Sequence, residues 1–347
     1  MRVDLRSDTL TQPTAGMKQA MWEAPLGDDV FGEDPTVRAL EETLAERFGM
    51  EAGLFCPSGT MTNQIAIRLH AGFQKEVICH QDSHIYLYEG GGIMANSHSS
   101  VRLLPGAFGK ITAEQVEAVI NPDDVHAPET SLVAVENTMN KGGGAVYTLA
   151  EVEPIRALCA DRGLVFHLDG ARLFNALVVS GESEKAWGAT FDTISICLSK
   201  GLGCPVGSVL LGDGATIHRA RRVRKVFGGG MRQAGMLAAA GLYALEHHVE
   251  RLAEDHARAQ AIGKLFQAYP GVEAVLPVAT NIVIVRLAER KPEDFLGQLA
   301  AHGVYGVKFG AQQVRFVTHL DIRDAHVEQL ARVLKQLAEE EQDVRES

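Results

Sequence analysis

Six short, almost uninterrupted apolar runs, separated by helix-period segments, constrain this chain more than any other feature. They are Glu76–Cys79, Val101–Leu104, Ser131–Val135, Leu164–Leu168, Thr193–Cys197 and Gly207–Leu211. Strands that alternate with helices form parallel βαβ units, and runs without polar alternation suit strands covered on both faces. The last two runs stand too close together for a crossover helix, which needs a dozen or more residues. The final run is therefore expected to lie antiparallel. The fold class is α/β.

Around this frame, Asp4–Pro13 reads as extended. Pro35 then opens an amphipathic helix with Val37, Leu40, Leu44 and Phe48 on one face. From Ala234 to about Tyr269 the pattern is helical, and Pro270-Gly271 ends it. Strand signals return at Thr280–Val285 and Gln313–Val317, followed by a closing amphipathic helix marked by Val327, Leu330, Leu334 and Leu337. These elements make a smaller α+β unit. Residues 1–245 are expected to form the larger domain, with an N-terminal arm, and 246–347 the smaller one. The charged stretch Glu339–Ser347 is expected to fray.

Composition narrows the functional classes. The 347 residues carry 33 basic and 44 acidic side chains, a net charge of -11, which opposes binding to phosphate backbones. The longest apolar run, Met236–Leu245, contains Gly241 and is too short to span a bilayer. The charged start Met1-Arg-Val-Asp-Leu-Arg6 lacks the apolar core of a signal peptide. Cys56, Cys79, Cys159, Cys197 and Cys204 form no Cys-x-x-Cys and read as buried free thiols, so neither zinc nor any other metal is expected. The chain is expected to be cytoplasmic, with no nucleic-acid or membrane partner.

Two nucleotide-like motifs fail. Gly201-Leu-Gly203-Cys-Pro-Val-Gly207 has Pro205 where a Rossmann helix begins its ladder, and Gly106–Thr112 lacks the Walker spacing. Other segments carry chemistry. Pro57-Ser58-Gly59-Thr60 turns into a helix whose unpaired N–H groups, with the hydroxyls, make a phosphate cup. Phe166-His-Leu-Asp169-Gly-Ala-Arg172 ends a buried strand in an acid, where α/β proteins place ligands. A buried Asp needs a cation: either Arg172 or a protonated ring nitrogen. The next strand ends in Ser199-Lys200-Gly201, a poor surface design that suits a Schiff-base lysine. The basic run Arg219–Lys225, followed by Phe227-Gly-Gly-Gly-Met-Arg232, reads either as a solvated face or as an anion site at Lys225 or Arg232. An acid and a lysine ending consecutive strands, with a phosphate cup upstream, is the pattern expected for pyridoxal 5'-phosphate.

The order of these motifs resembles that of the low-specificity L-threonine aldolases, which are aspartate-aminotransferase-like, fold type I pyridoxal-phosphate enzymes. The resemblance runs from Asp4 to about Asp321. It is carried by Asp4-Leu-Arg-Ser7-Asp8-Thr9, Gly27–Pro35, Ser58-Gly-Thr60, Asp82-Ser-His84, Glu136-Asn-Thr138, His167–Arg172, Leu198–Gly203 and Gly228–Gly235. Phe31, Met139 and Ala127 depart from the residues common in that family.

The resemblance implies a mostly parallel seven-stranded sheet domain plus the smaller C-terminal domain. It implies that Lys200 holds the cofactor, Asp169 its ring nitrogen, and Gly59, Thr60, Lys225 and Arg232 its phosphate, with Ser58, Arg172 and Ser199 also binding the cofactor. His84 would stack on the ring. Ser7, Arg172 and Arg315 would bind the substrate carboxylate, and His126 would approach the substrate hydroxyl, leaving His84 and His126 as candidate bases. The implied reaction is cleavage of L-threonine or L-allo-threonine, a small-molecule β-hydroxy-α-amino acid, to glycine and acetaldehyde, and its reversal. A β-eliminating lyase or aminotransferase on the same fold is the alternative. The resemblance further implies a homo-oligomer, dimer or tetramer.

Overall fold

The computed structural model of the chain describes residues 1–346, with side chains through residue 342. Seven strands build the main sheet: β2 Ala52–Cys56, β3 Lys75–His80, β4 Ser100–Leu104, β5 Glu129–Glu136, β6 Val165–Gly170, β7 Thr193–Cys197 and β8 Ser208–Gly212. They follow β1, the two residues Val3–Asp4, and lie in the order β2-β8-β7-β6-β5-β3-β4. The pairs among β4, β3, β5, β6 and β7 are parallel, whereas β8 runs antiparallel to both its neighbours. The short Cys197-to-Ser208 connection leaves no alternative. Strands β7 and β8 are buried along their whole length, which is why their sequences show no polar alternation.

The helices follow from capping and periodicity. Asp34 caps the helix Pro35–Phe48 by accepting from the amides of Thr36 and Val37, and Gly49 ends it at φ 64°. Val37, Leu40, Leu44 and Phe48 are fully buried and pack in the main core with Trp187 and Phe174. The run Met236–Leu245 sits inside the helix Gly235–His247. Among the described residues no helix is long and apolar enough to cross a membrane.

The smaller unit is a four-stranded antiparallel sheet formed by β9 Val272–Val275, β10 Ile282–Leu287, β12 Val307–Lys308 and β13 Gln313–Val317. It packs on the helices Leu252–Gln267 and Asp324–Glu346, with Phe266 and Phe316 stacked at 4.6 Å in its core. The closing helix runs on to Glu346 where fraying was expected from Glu339, and Ser347 lies outside the described residues. The N-terminal arm also differs from the expected continuous extension. β1 pairs in parallel with β11, Val304–Tyr305, and Val3 and Leu5 pack in the smaller unit's core. Asp8–Leu10 then turns as a short 3-10 helix capped by Ser7.

Gly170, the last residue of β6, shows how tightly the sheet end is built. A Cβ there would stand 2.6 Å from the Ser195 carbonyl oxygen of β7. Neither backbone can yield without opening the ladder, so Gly170→Ala should cost about 1–3 kcal/mol. The check is thermal or denaturant unfolding. A wild-type midpoint would mean that the β6–β7 end is looser than it stands here.

Candidate active site

The carboxyl ends of β3, β5, β6 and β7 share one edge of the sheet, and the reactive side chains collect there. Register pairs Glu136 with Asp169 and Asp169 with Ser195. Asp169 is 3% exposed, and its oxygens accept from Asn63 Nδ2 at 3.0 Å and from the Ala171 amide at 3.1 Å. Both donors are neutral. Arg172, the candidate counter-ion three residues on, turns away instead. Its Nε and one Nη donate to Asp8 at 2.7 and 2.8 Å, and Asn281 Nδ2 joins the same carboxylate at 3.1 Å. Asp169 thus has no Lys or Arg ion-pair partner among the described residues.

Lys200 stands in the loop between β7 and β8, where the Gly203 amide closes a turn onto its carbonyl at 2.8 Å. Its Nζ has no hydrogen-bond or ion-pair partner among the described residues, and its charge reaches the Asp8 carboxyl. Ser199, half-buried beside it, has Oγ 3.5 Å from Cys197 Sγ. Ser58 caps the helix Gly59–His70 through Met61 N at 3.2 Å. The amides of Gly59 and Thr60 have no acceptor among the described residues, so two donors at a helix N-terminus stand ready for an anion.

Lys225 and Arg232 make no contact with that cup among the described residues. The acidic segment Asp28–Asp34 holds Arg232 and Arg224 instead. Arg232 pairs with Asp28 at 2.9 Å, Arg224 is buried on Asp29 at 2.6 Å, and Lys225 borders a cavity of about 550 Å³ with Asp29, Phe31 and Arg221. His126 also stands apart from this cluster within its own chain. It lies in an exposed loop, bonded to Asp124 at 2.8 Å, just before the amino end of β5. Eight residues of strand, roughly 26 Å at ~3.3 Å each, separate that end from Glu136 and Asp169.

His84 stands at the start of the short helix following β3. Its amide donates to Glu136 at 2.8 Å and its Nδ1 meets Glu89 Oε1 at 3.0 Å. Burial alone would depress the imidazole, but the Glu89 bond and the charges of Asp169 and Glu136 outweigh it, leaving the pKa above its ordinary value. Burial, reinforced by Asp169, also pushes the Glu136 carboxyl up. Ligand atoms of His84, Glu89 and Asp169 lie within 4.8 Å of one another.

Opposite these acids, Arg315 on β13 donates to Asn140 Oδ1 at 2.8 Å and to the Arg6 carbonyl at 3.2 Å, while its buried Nε has no partner among the described residues. Burial and the charge of Arg172 lower its guanidinium to about 10. Two guanidinium groups close enough to repel, with an unused donor, form a place for an anion. Ser7 stands next to Asp8, its Oγ accepting from Thr9. The chain of contacts that orients these groups runs through Asp8, Asn63, Glu89 and Asn140. Sequence reasoning gave Asp8, Asn63 and Asn140 no role, since a buried Asn or Asp carries no periodic signal, whereas Glu89 beside His84 did suggest a polar pocket. The one available hint was the hydrophilic Asn63-Gln64 pair inside an otherwise apolar helix.

Burial would raise the Asp8 carboxyl, yet Arg172 overrides it and holds the group far below the usual carboxylate range. A depressed folded pKa gives stability that is full above the unfolded value, near pH ~3.9, and is lost as pH falls through the folded value. Asp8→Ala should strand Arg172 as an uncompensated buried charge and cost about 3–5 kcal/mol, read by denaturant unfolding near neutrality. An unfolding midpoint equal to wild type would show that another group neutralises Arg172.

The comparisons with known proteins agree with this geometry. Residues 4–290 match the family described as beta-eliminating lyase. The low-specificity L-threonine aldolase of Escherichia coli K12 is 42% identical over 334 residues, covering 95% of this chain and 97% of that protein. The low-specificity L-threonine aldolase of Saccharomyces cerevisiae is 40% identical over 319 residues, covering 90% and 81%. The solved threonine aldolase structure from Leishmania major superposes with a TM-score of 0.84 at 22% identity, covering 97% of this chain and 99% of that one. With the site and these likenesses together, the chain belongs to the beta-eliminating lyase family and, within it, to the threonine aldolases.

Proposed function

We propose that this protein is a pyridoxal 5'-phosphate-dependent aldehyde lyase that cleaves L-threonine and L-allo-threonine to glycine and acetaldehyde and catalyses the reverse addition. The observation that carries the reading is Asp169: a buried carboxylate at a strand end, hydrogen-bonded among the described residues only by neutral donors, on the strand next to the one that leads into Lys200. A protonated pyridine nitrogen is the cation it lacks. When bound, the cofactor supplies a ring that takes up the electron pair of the breaking Cα–Cβ bond.

The residues then divide the work. Lys200 would hold the cofactor, and Asp169 would face its ring nitrogen and favour the protonated form. Ser58, Gly59, Thr60 and Ser199 hold the phosphate side. Lys225, Arg232 and His126 belong to the same reading if a second copy of the chain supplies them, because among the described residues none makes a hydrogen bond or ion pair with the site of its own chain; this favours a homo-oligomer, dimer or tetramer. Arg172, Arg315 and Ser7 would fix the substrate carboxylate and thereby orient the bond to be broken. His84, oriented by Glu89, takes the β-hydroxyl proton. The acidic charge and five buried thiols suit the cytoplasm.

The test is direct. With cofactor and either threonine isomer the protein should release acetaldehyde, and borohydride should label Lys200 in the peptide map. Keto-acid formation without acetaldehyde would establish the β-eliminating or aminotransferase alternative, and label on another lysine would overturn the role of Lys200.

His84 gives a sharper check. A base whose pKa is raised loses its free form earlier as pH falls, so the acid limb of kcat/KM should lie above pH ~6.5. His84→Phe keeps an aromatic face and should bind the cofactor, yet it should turn over about 100-fold more slowly and lose that limb. Wild-type turnover in His84→Phe would reduce the residue to a stacking surface.

A further inference from the structure

Asn63, one turn into the helix Gly59–His70, is 1% exposed, and its amide is fully committed. Nδ2 donates to Glu89 Oε1 at 2.9 Å and to Asp169 Oδ2 at 3.0 Å, while Oδ1 faces His167 Nε2 at 3.1 Å. Two carboxylates require the NH2 group, so the carbonyl must face His167, which then carries its proton on Nε2. His167 Nδ1 in turn meets Thr193 Oγ1 at 2.8 Å and accepts from that hydroxyl. Burial lowers the His167 pKa to about 4, keeping the ring neutral and this tautomer fixed.

On the far side, Glu89 holds His84 Nδ1 at 3.0 Å, and Gln64 Nε2 donates to its other oxygen at 2.7 Å. One hydrogen-bonded line therefore runs from Thr193 through His167 to Asn63, where it forks to Asp169 and, through Glu89, to His84. Asn63 brings two carboxylates together without adding a cation, so it leaves Asp169 free to serve a cationic ligand.

We propose, on the reading of the preceding subsection, that Asn63 is a positioning residue for the reaction: a single neutral amide sets both the carboxylate that faces the ring nitrogen and, through Glu89, the histidine that takes the substrate proton. A Cβ-level packing role alone would ask only that the space be filled. The donor role asks for two N–H groups.

Asn63→Asp and Asn63→Ala separate these roles, because Asp fills the same space but, with at most one O–H, cannot donate to both carboxylates at once. Gln64→Ala, which frees Glu89 and leaves Asp169 alone, is the companion. Cofactor affinity is read by absorbance titration of the apoprotein with pyridoxal 5'-phosphate, without turnover. kcat, KM and the pH profile are read with L-threonine. Asn63→Ala should weaken cofactor binding about 10-fold and lower kcat about 10- to 100-fold, as loss of a supporting hydrogen bond does at other tuned sites, with KM within about 3-fold. Asn63→Asp should be no better than Ala in either reading. Gln64→Ala should leave cofactor affinity unchanged and shift only the acid limb of the pH profile. If Asn63→Asp fails to fold, Asn63→Ala and Thr193→Val, which frees the far end of the line, decide the matter through cofactor affinity. Rescue of both readings by Asn63→Asp, or wild-type behaviour of Asn63→Ala, overturns the proposal while the aldolase reading stands. A wild-type protein that neither binds the cofactor nor cleaves threonine overturns both.

Discussion

A buried guanidinium must be neutralised where it stands, and Arg172 is neutralised by Asp8, 164 positions away in the chain. This single requirement draws the N-terminal segment across the carboxyl edge of the main sheet. The same carboxylate takes a hydrogen bond from Asn281, which ties in the start of the smaller unit's sheet. The arm is then held on both sides. Leu5 accepts from Val317 N at 2.8 Å, and Arg6 lends its carbonyl to Arg315. Three stretches of chain that share no secondary structure thus meet at one ion pair, and each brings a side chain to the site. Such a pair is weak evidence for stability when compared with an apolar replacement. Its value here is that it fixes where Arg172 points and, by doing so, leaves Asp169 without a protein cation.

The result is a site with two electrical poles. Asp169, Glu136 and Glu89 lie on one side, and Arg172 and Arg315 on the other. Burial first, and like charge from Asp169 and Arg172 second, raises Glu136 and lowers Arg315, a pattern that clusters at functional sites. An α-amino acid carries both signs on neighbouring atoms. Its carboxylate relieves the guanidinium pair, and its orientation follows from that contact.

The strands were legible because burial on both faces removes polar alternation, and all six apolar runs fall within a residue or two of a strand. β13 matches residue for residue. The very short β1, β11 and β12 left no trace, since two residues cannot establish a period. Lys200, Asp169 and Gly59 were visible because each ends or follows a buried strand in a residue that packing alone would not choose. Asp8, Asn63 and Asn140 were not, because their meaning lies in partners more than 100 residues distant. His126 stands apart from them in its own chain for the converse reason. Its loop has the polar look of a binding segment, but strand polarity puts it at the amino edge. Polarity along the sheet axis is a topological fact, and local sequence holds no record of it.

The reversed strand β8 has a consequence for Lys200. Its loop leaves the carboxyl end of β7 and returns to the amino end of β8, and because the strands are antiparallel both anchor points sit on one rim. Leu198 N bonds the Gly207 carbonyl, and Cys204 N bonds the Leu198 carbonyl, so the loop is cross-tied at its neck. A parallel neighbour would have carried the chain away through a helix to the opposite rim. The lysine is instead on a leash of fixed length, a geometry that lets its long side chain swing while its backbone stays put. A nucleophile that must attach, release and reattach without losing its place has, in this single change of strand direction, both its freedom and its limit.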